Sequence, residues 1–515
     1  LAEQGNESEQ GTSGKKEKNT ANSSRLTRLV SWFDSRLGLS YPLLRPAPEY
    51  AINPFYWLGA LTVVAFVIQG ITGMIMMLYY VPSPTDAYLS TEYIFQSVPY
   101  GRFLETVHLY TAYAMIMLAF MHMMRGYFVS VHKKPREAMW ITGMVMGFVT
   151  LGFGFTGYLL PWTVVSKSAT DVGIGMISAL PGPVSNLLNF LIVGAGGDAT
   201  ELLRFYDLHV VVLPAILLIL LAVKMYMLEA HGISEPITGG ELAPKQKRTL
   251  PIFPDVSLYL LELAAIFGSG MLLISAAFPL NLPPQYTPQL AAQTTPQPDW
   301  YFLWIYQILK ISVFEGAGLP VALSLVTLIF IVLILLPFID SGPRKRISQR
   351  PIFVTLGAIF IAELVTLAYW GLVTPGQIIP VEQAALVLGG VALIVSFTSL
   401  GLFKLINSRA RSKLPTVNVS KIRRVEIWNG IMFTALAGFG ALTIGESLDS
   451  GVRLIIKGPN LSSLVYFVFS FTTLAICVLA TTYFIYRSDL RMGTIKRRVR
   501  MFEIGWRDEK VGKQQ

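Results

Sequence analysis

Cysteine is almost absent: Cys477 is the only one, and it lies inside an apolar run. Disulfides within the chain, cysteine-held iron–sulfur clusters and a C-x-x-C-H haem attachment are thereby excluded. Charge is scarce too, at 14% of residues against 53% hydrophobic, with a mean hydropathy of +0.54. Those values exclude an ordinary soluble domain and suit an all-α polytopic membrane protein that buries its surface against lipid and neighbouring helices. The net charge of +10 does not point to nucleic acid, because the basic residues stand between apolar spans. No N-terminal signal peptide is visible; residues 1–24, rich in Glu, Gln, Asn, Ser and Lys, read as a disordered tail.

What is abundant is long apolar runs. Ten are long enough to cross roughly 30 Å of hydrocarbon, at about 54–81, 103–130, 140–162, 207–229, 255–278, 317–338, 352–373, 382–405, 427–445 and 462–486. The basic residues test that count. The segments 1–53, 131–139, 230–254, 339–350, 406–426 and 487–515, one on every second side, hold 32 of the 41 Lys and Arg. Such alternation is the positive-inside pattern and places both termini in the cytoplasm, in a multi-pass protein of the cell membrane.

The second run, ETVHLYTAYAMIMLAFMHMMR, carries His108 and His122 fourteen residues apart. On a helix they stand ~21 Å apart and only ~40° out of line, so one face presents a nitrogen ligand near each membrane edge. Two unrelated polar residues in a bundle are the plain alternative for either histidine alone. The fourth run has the same direction, and its His209 lies at the depth of His108. An axial pair His108–His209 can hold one haem iron through neutral imidazoles. Glycines repeat the period: Gly59 and Gly73 in the first run, Gly143 and Gly157 in the third, each pair fourteen apart. A glycine lets a flat macrocycle or another backbone approach closely, and a period shared by three helices favours haem over ordinary small-residue packing. The methionines around His122 (Met115, Met117, Met121, Met123, Met124) read as core.

The chain resembles cytochrome b of quinol-oxidising cytochrome bc complexes, most closely the chloroplast and cyanobacterial type with its second subunit fused, or a prokaryotic respiratory variant of it. The resemblance rests on NPFYWLGALTVVAFVIQGITG, the two-histidine helix, HKKPREAMWITG, GYLLPW, LRFYDLHVVVLP, HGISEP and PDWYFLWIYQILK. It covers about residues 50–375. It implies a di-haem four-helix bundle at 51–235 and quinol-site helices at 236–375; outside it, composition and charge give a disordered cytoplasmic segment at 1–50, additional apolar helices at 376–486 and a basic cytoplasmic tail at 487–515. The family resemblance has further consequences. It implies two non-covalent haems, b-type or a modified variety. His108 and His209 would hold the outer one and His122 the inner one, with Arg204 and Arg125 facing outer and inner propionates.

Where the family has its fourth histidine this chain has Lys224. Lysine can ligate iron only as the neutral amine. Ligation, a lysine reaching to the cytoplasmic interface and one paired with a propionate all stay open. Glu105 stands where the family carries an arginine, with Arg102 as a candidate substitute. Trp57 replaces the cysteine that tethers an extra inner haem in the chloroplast type, so that cofactor is not expected.

Pro298-Asp299-Trp300-Tyr301 looks like the family's PEWY motif with Asp for Glu. Quinol oxidation releases protons as electrons leave, so a carboxylate suits the outer site. Asp299 is the candidate acceptor, with Tyr301 and Tyr158 lining the pocket and Pro298 and Trp300 packing it; a turn with an interfacial aromatic anchor is the alternative. His231 is a candidate for the inner quinone site or an exposed loop residue, and His132 reads as interfacial. The resemblance implies a quinol oxidoreductase subunit that translocates protons in the respiratory chain. One electron goes to a Rieske iron–sulfur protein, and the other crosses to the inner haem and a quinone. A full crossing is worth up to ~2.3 kcal/mol per 100 mV. A dimer and further respiratory subunits are implied by analogy. Two alternatives remain: delivery to an attached terminal oxidase through a modified inner branch, and a haem-free transporter or structural subunit.

Overall fold

In a computed structural model of the chain, residues 47–48, 51–180, 182–194, 197–234, 249–345 and 347–411 are described. The ninth and tenth expected spans, both termini and Cys477 lie outside them. The chain divides into two units: residues 53–239 with 263 onward, and residues up to 52 with 240–262. Described by itself, the second unit holds a two-stranded antiparallel ribbon, β1 (Ala47–Pro48) with β2 (Thr249–Leu250), in the register Ala47 opposite Leu250.

The larger unit is helical. Its first six helices are α1 (Leu58–Met77), α2 (Ala87–Gln96), α3 (Gly101–Phe128), α4 (Glu137–Leu159), α5 (Val164–Ser178) and α6 (Gly182–Leu188). Then come α7 (Asp198–Asp207), a π-helical turn at Leu208–Val212 and α8 (Leu213–His231), which run on as one 34-residue span. Next in the chain come α9 (Ser257–Ala277), which enters the larger unit at Leu263, then α10 (Pro288–Ala291), α11 (Leu303–Leu309), α12 (Leu319–Ile334), α13 (Leu336–Ile339), α14 (Pro351–Val373) and α15 (Val381–Arg411). Seven of the described helices are long and apolar enough to cross a membrane. Large apolar side chains such as Leu218, Ile219, Leu273, Val365 and Leu393 point outward from them. Such surface is costly in water and natural in lipid, so the chain is a multi-pass membrane protein.

Four spans build the bundle: α1 packs along α3, α8 along α4, and α3 against α4. Halfway along it, Ala65, Met115 and Leu217 form a buried apolar layer with Phe66, Val149 and Phe153. Each lies between the two polar levels of its own helix, so the two ends are separated by hydrocarbon. Met115 and Met124 are core, as expected.

Two spans depart from expectation at prolines. The fourth begins at Asp198, nine residues before the expected start, and widens into the π turn just ahead of Pro214, whose missing N–H and ring would break a regular α-helical ladder. The sixth was expected over 317–338 but stops at Ile334. Pro337 cannot donate to the Leu333 carbonyl, and the Trp140 indole N–H donates to it instead, at 2.8 Å.

Candidate functional site

At the outer end, α3 presents His108 and the π turn presents His209, with ring centres 6.4 Å apart. Two axial imidazoles around one metal need roughly 6 Å, from two bonds of roughly 2 Å and about 1 Å from nitrogen to ring centre on each side. Each ring is oriented in the same way. The Thr72 hydroxyl lies 2.8 Å from Nδ1 of His108 and the Thr156 hydroxyl 3.1 Å from Nδ1 of His209. With Nδ1 engaged, Nε2 is left to ligate. The residue after each threonine is a glycine. A Cβ on Gly73 would stand 3.4 Å from the His108 ring, and one on Gly157 only 2.6 Å from the His209 ring. The donor set and its glycine cradle fit a haem.

The inner end has the same frame and different donors. A Cβ on Gly59 would meet the His122 ring at 3.0 Å, and one on Gly143 would meet the Lys224 Nζ at 2.8 Å. Lys224 thus reaches the glycine on α4 as His209 does one level higher. No threonine serves His122: its Nδ1 is buried and without a hydrogen-bond partner. Leu58 holds the position before Gly59 that Thr72 holds before Gly73. The unmet nitrogen and the cradle fit a group bound between them. Arg125 lies over the Tyr56 ring, 4.0 Å from its centre. Arg204 is turned toward Phe190, donating to its carbonyl, and Arg102 donates to the Leu280 carbonyl and the Asn281 side chain, both at 2.6 Å.

Beside the outer end lies a pocket lined by Phe155, Tyr158, Met176, Pro298, Asp299 and Tyr301, among others. Helix α5, capped by a reciprocal Thr163–Ser166 capping box, covers it with Ala169, Val172 and Gly173. Asp299 precedes a short 3-10 turn, Trp300–Phe302, and its carbonyl accepts from the Phe302 N–H at 2.9 Å. Its Oδ1 accepts from the Tyr113 hydroxyl at 2.9 Å and its Oδ2 from the Tyr301 hydroxyl at 3.4 Å. Burial pushes the carboxyl up to about 6, against the lowering effect of both hydrogen bonds. Trp300 does not line the pocket but packs edge-on against Tyr113. Gly154 admits the Tyr301 hydroxyl, which a Cβ there would meet at 2.7 Å. His231 ends α8, exposed, and its carbonyl accepts from Arg136 at 3.1 Å.

Three participants escape a reading of the sequence. Thr72 and Thr156 were within reach of it, since each stands next to a glycine of the fourteen-residue pattern. Tyr113 was not, because its partner Asp299 is 186 residues away. His132 corrects the expectation of an interfacial residue: it is fully buried, with Nε2 3.0 Å from Asp340. Lys133, at 2.8 Å, and Arg350 also pair with Asp340. Burial holds His132 down to about 4, and its three cationic or donor neighbours keep Asp340 below the usual carboxylate range against its own burial.

Two family models match the chain: Cytochrome b/b6/petB over residues 45–232 and Cytochrome b(C-terminal)/b6/petD over residues 289–397. The cytochrome bc complex cytochrome b subunit of Chlorobaculum thiosulfatiphilum is 34% identical over 352 residues, covering 67% of this chain and 81% of that protein. Cytochrome b of Sulfolobus acidocaldarius is 29% identical over 388 residues, or 70% of this chain and 68% of that protein. A solved chain of a hyperthermophilic respiratory complex III superposes with a TM-score of 0.58 at 26% identity, covering 73% of this chain and 96% of that one.

Proposed function

This chain belongs to the cytochrome b family and is an electron-transfer subunit of a bc-type quinol oxidoreductase; from that premise we propose that it oxidises quinol in the outer pocket and carries electrons inward through two haems. The observation that carries the reading is the outer assembly. Two histidines at metal-bridging separation, each held by a threonine over a glycine, stand beside a pocket with a buried carboxylate.

His108 and His209 would hold the outer haem, and His122 with Lys224 the inner one. Lys224 would serve as the neutral amine, since an ammonium has no lone pair. Arg125, Arg204 and the glycines Gly59, Gly73, Gly143 and Gly157 complete the haem surroundings. Bound haem supplies reversible one-electron chemistry. In the pocket, Asp299 accepts a quinol proton, Tyr301 and Tyr158 enclose the ring, and Pro298 and Trp300 fix the loop that bears the carboxylate. Helix α5 limits water at the quinol. One electron leaves for a Rieske iron–sulfur partner, and quinone is reduced near His231 on the cytoplasmic side. The family points to a dimer with further respiratory subunits.

Haem per polypeptide in the purified complex tests the whole reading: a value near two is expected, and zero would overturn it. Lys224→His then tests the inner ligand. Its redox difference spectrum should change at the inner haem and keep the outer band; an unchanged inner band would rule out lysine ligation.

A further inference from the structure

We propose that Tyr113 is the positioning residue that aims the Asp299 carboxylate at the quinol and keeps it able to accept a proton, a role that rests on the quinol-oxidation reading of the pocket. Tyr113 belongs to α3, five residues beyond His108, on a helix that contributes none of the residues lining the pocket. Its hydroxyl enters from behind and takes Oδ1 of Asp299 at 2.9 Å, the better of the carboxylate's two hydrogen bonds. The Tyr113 ring is clamped by Trp300 and Tyr301, whose ring centres lie 6.2 and 6.3 Å away. The two motif residues that follow the hydroxyl's target therefore also hold the tyrosine that bears the hydroxyl.

The arrangement answers a problem set by aspartate. Its side chain is one methylene shorter than glutamate, so with the backbone pinned by the Phe302 bond it has little reach of its own. A fixed donor on Oδ1 selects one rotamer and leaves Oδ2, with its long 3.4 Å bond, as the oxygen free to take a proton. In that step the quinol O–H bond breaks and an O–H bond forms on Asp299, which becomes a neutral acid and later releases the proton to the outer side. The electrons leave by the route proposed above, one to the Rieske iron–sulfur partner and one to the outer haem that His108 and His209 would hold. A hydrogen bond donated to a carboxylate favours its charged form. The titratable side chains facing Asp299 are Tyr113 from α3, Tyr158 from α4 and Tyr301 from its own turn; among the described residues no cation faces it.

The test is the pH profile of quinol oxidation by the intact complex. Tyr113→Phe should move the acid limb upward by about one pH unit, cutting kcat about tenfold below the limb. The loss should be smaller on the alkaline side, with the haem spectra unchanged. Replacing Tyr113 by a fluorinated tyrosine, which keeps the shape and donates more strongly, should move the limb the other way and serves if the phenylalanine variant fails to assemble. Asp299→Asn separates the two ideas. If it is inactive while both Tyr113 replacements leave the limb in place, the positioning role is overturned and the quinol reading stands. If Asp299→Asn retains the parent rate, the reading of the pocket itself falls.

Discussion

The two ends of the bundle share one backbone plan and differ in its chemistry. Both levels have a glycine on α1, a histidine on α3 and a glycine on α4 at the same fourteen-residue offset. At the outer level a threonine orients each imidazole, and a carboxylate pocket lies alongside. At the inner level the histidine's Nδ1 has no partner and a lysine faces it across the bundle. Helix geometry therefore sets the two levels, whereas the threonine hydroxyls of Thr72 and Thr156 meet an imidazole only at the outer one. The outer end is built for a fixed geometry next to chemistry; the inner end tolerates a different donor.

The strongest way to break that contrast is to remove the second ligand at each level. His209→Ala should lose the outer haem and bring quinol-driven reduction of the acceptor to background, because no electron can enter the inward branch. Lys224→Ala should alter only the inner band in difference spectra and keep the first electron transfer. Equal losses in both variants would mean that the levels are not distinct.

A smaller effect is expected from Thr72→Val, which keeps the shape and removes the hydroxyl from His108. Loss of such an orienting partner costs roughly tenfold in metal-site affinity, to be read as haem released from the outer level during a detergent titration. The inner level should not respond.

An effect on stability alone, with no change in haem binding at neutral pH, is expected in the charged cluster that ties the inner loops together. Burial holds His132 near 4 in the folded chain, below its ordinary 6.5. Protons are then bound more readily by the unfolded state, so the stability present above 6.5 is lost as pH falls toward 4, by up to about 1.4 kcal/mol per unit. Asp340, held below the usual carboxylate range, adds its own loss only at still lower pH. Thermal release of haem absorption, followed between pH 7 and 4, should show a falling midpoint, and His132→Gln should flatten it.

What the sequence could disclose follows the same division. The two levels at which these side chains gather were legible because helix periodicity turns a spacing of fourteen into one face, and Gly59, Gly73, Gly143 and Gly157 repeat it. All eight expected spans that fall within the described residues are helical, and the sixth is shortened where Pro337 forbids a backbone bond. The pocket's motif residues Asp299 and Tyr301 do meet, together with Tyr158. Contacts between distant segments were hidden. Nothing in the spacing of Tyr113 and Asp299, or of His132, Asp340 and Arg350, says that they touch, and two lysines beside His132 made it look like a surface residue. Burial of a charged group shows only once its partners are in place.

The bond from Trp140 to the Leu333 carbonyl has a further meaning. It crosses from the part of the chain matched by one family model to the part matched by the other. Lys133 bonds the Gly342 and Arg344 carbonyls, Ser130 the Lys345 carbonyl and Tyr127 the Phe353 carbonyl across the same seam. The two parts thus recognise one another through an interlocked set of backbone acceptors that owes nothing to the peptide link between them.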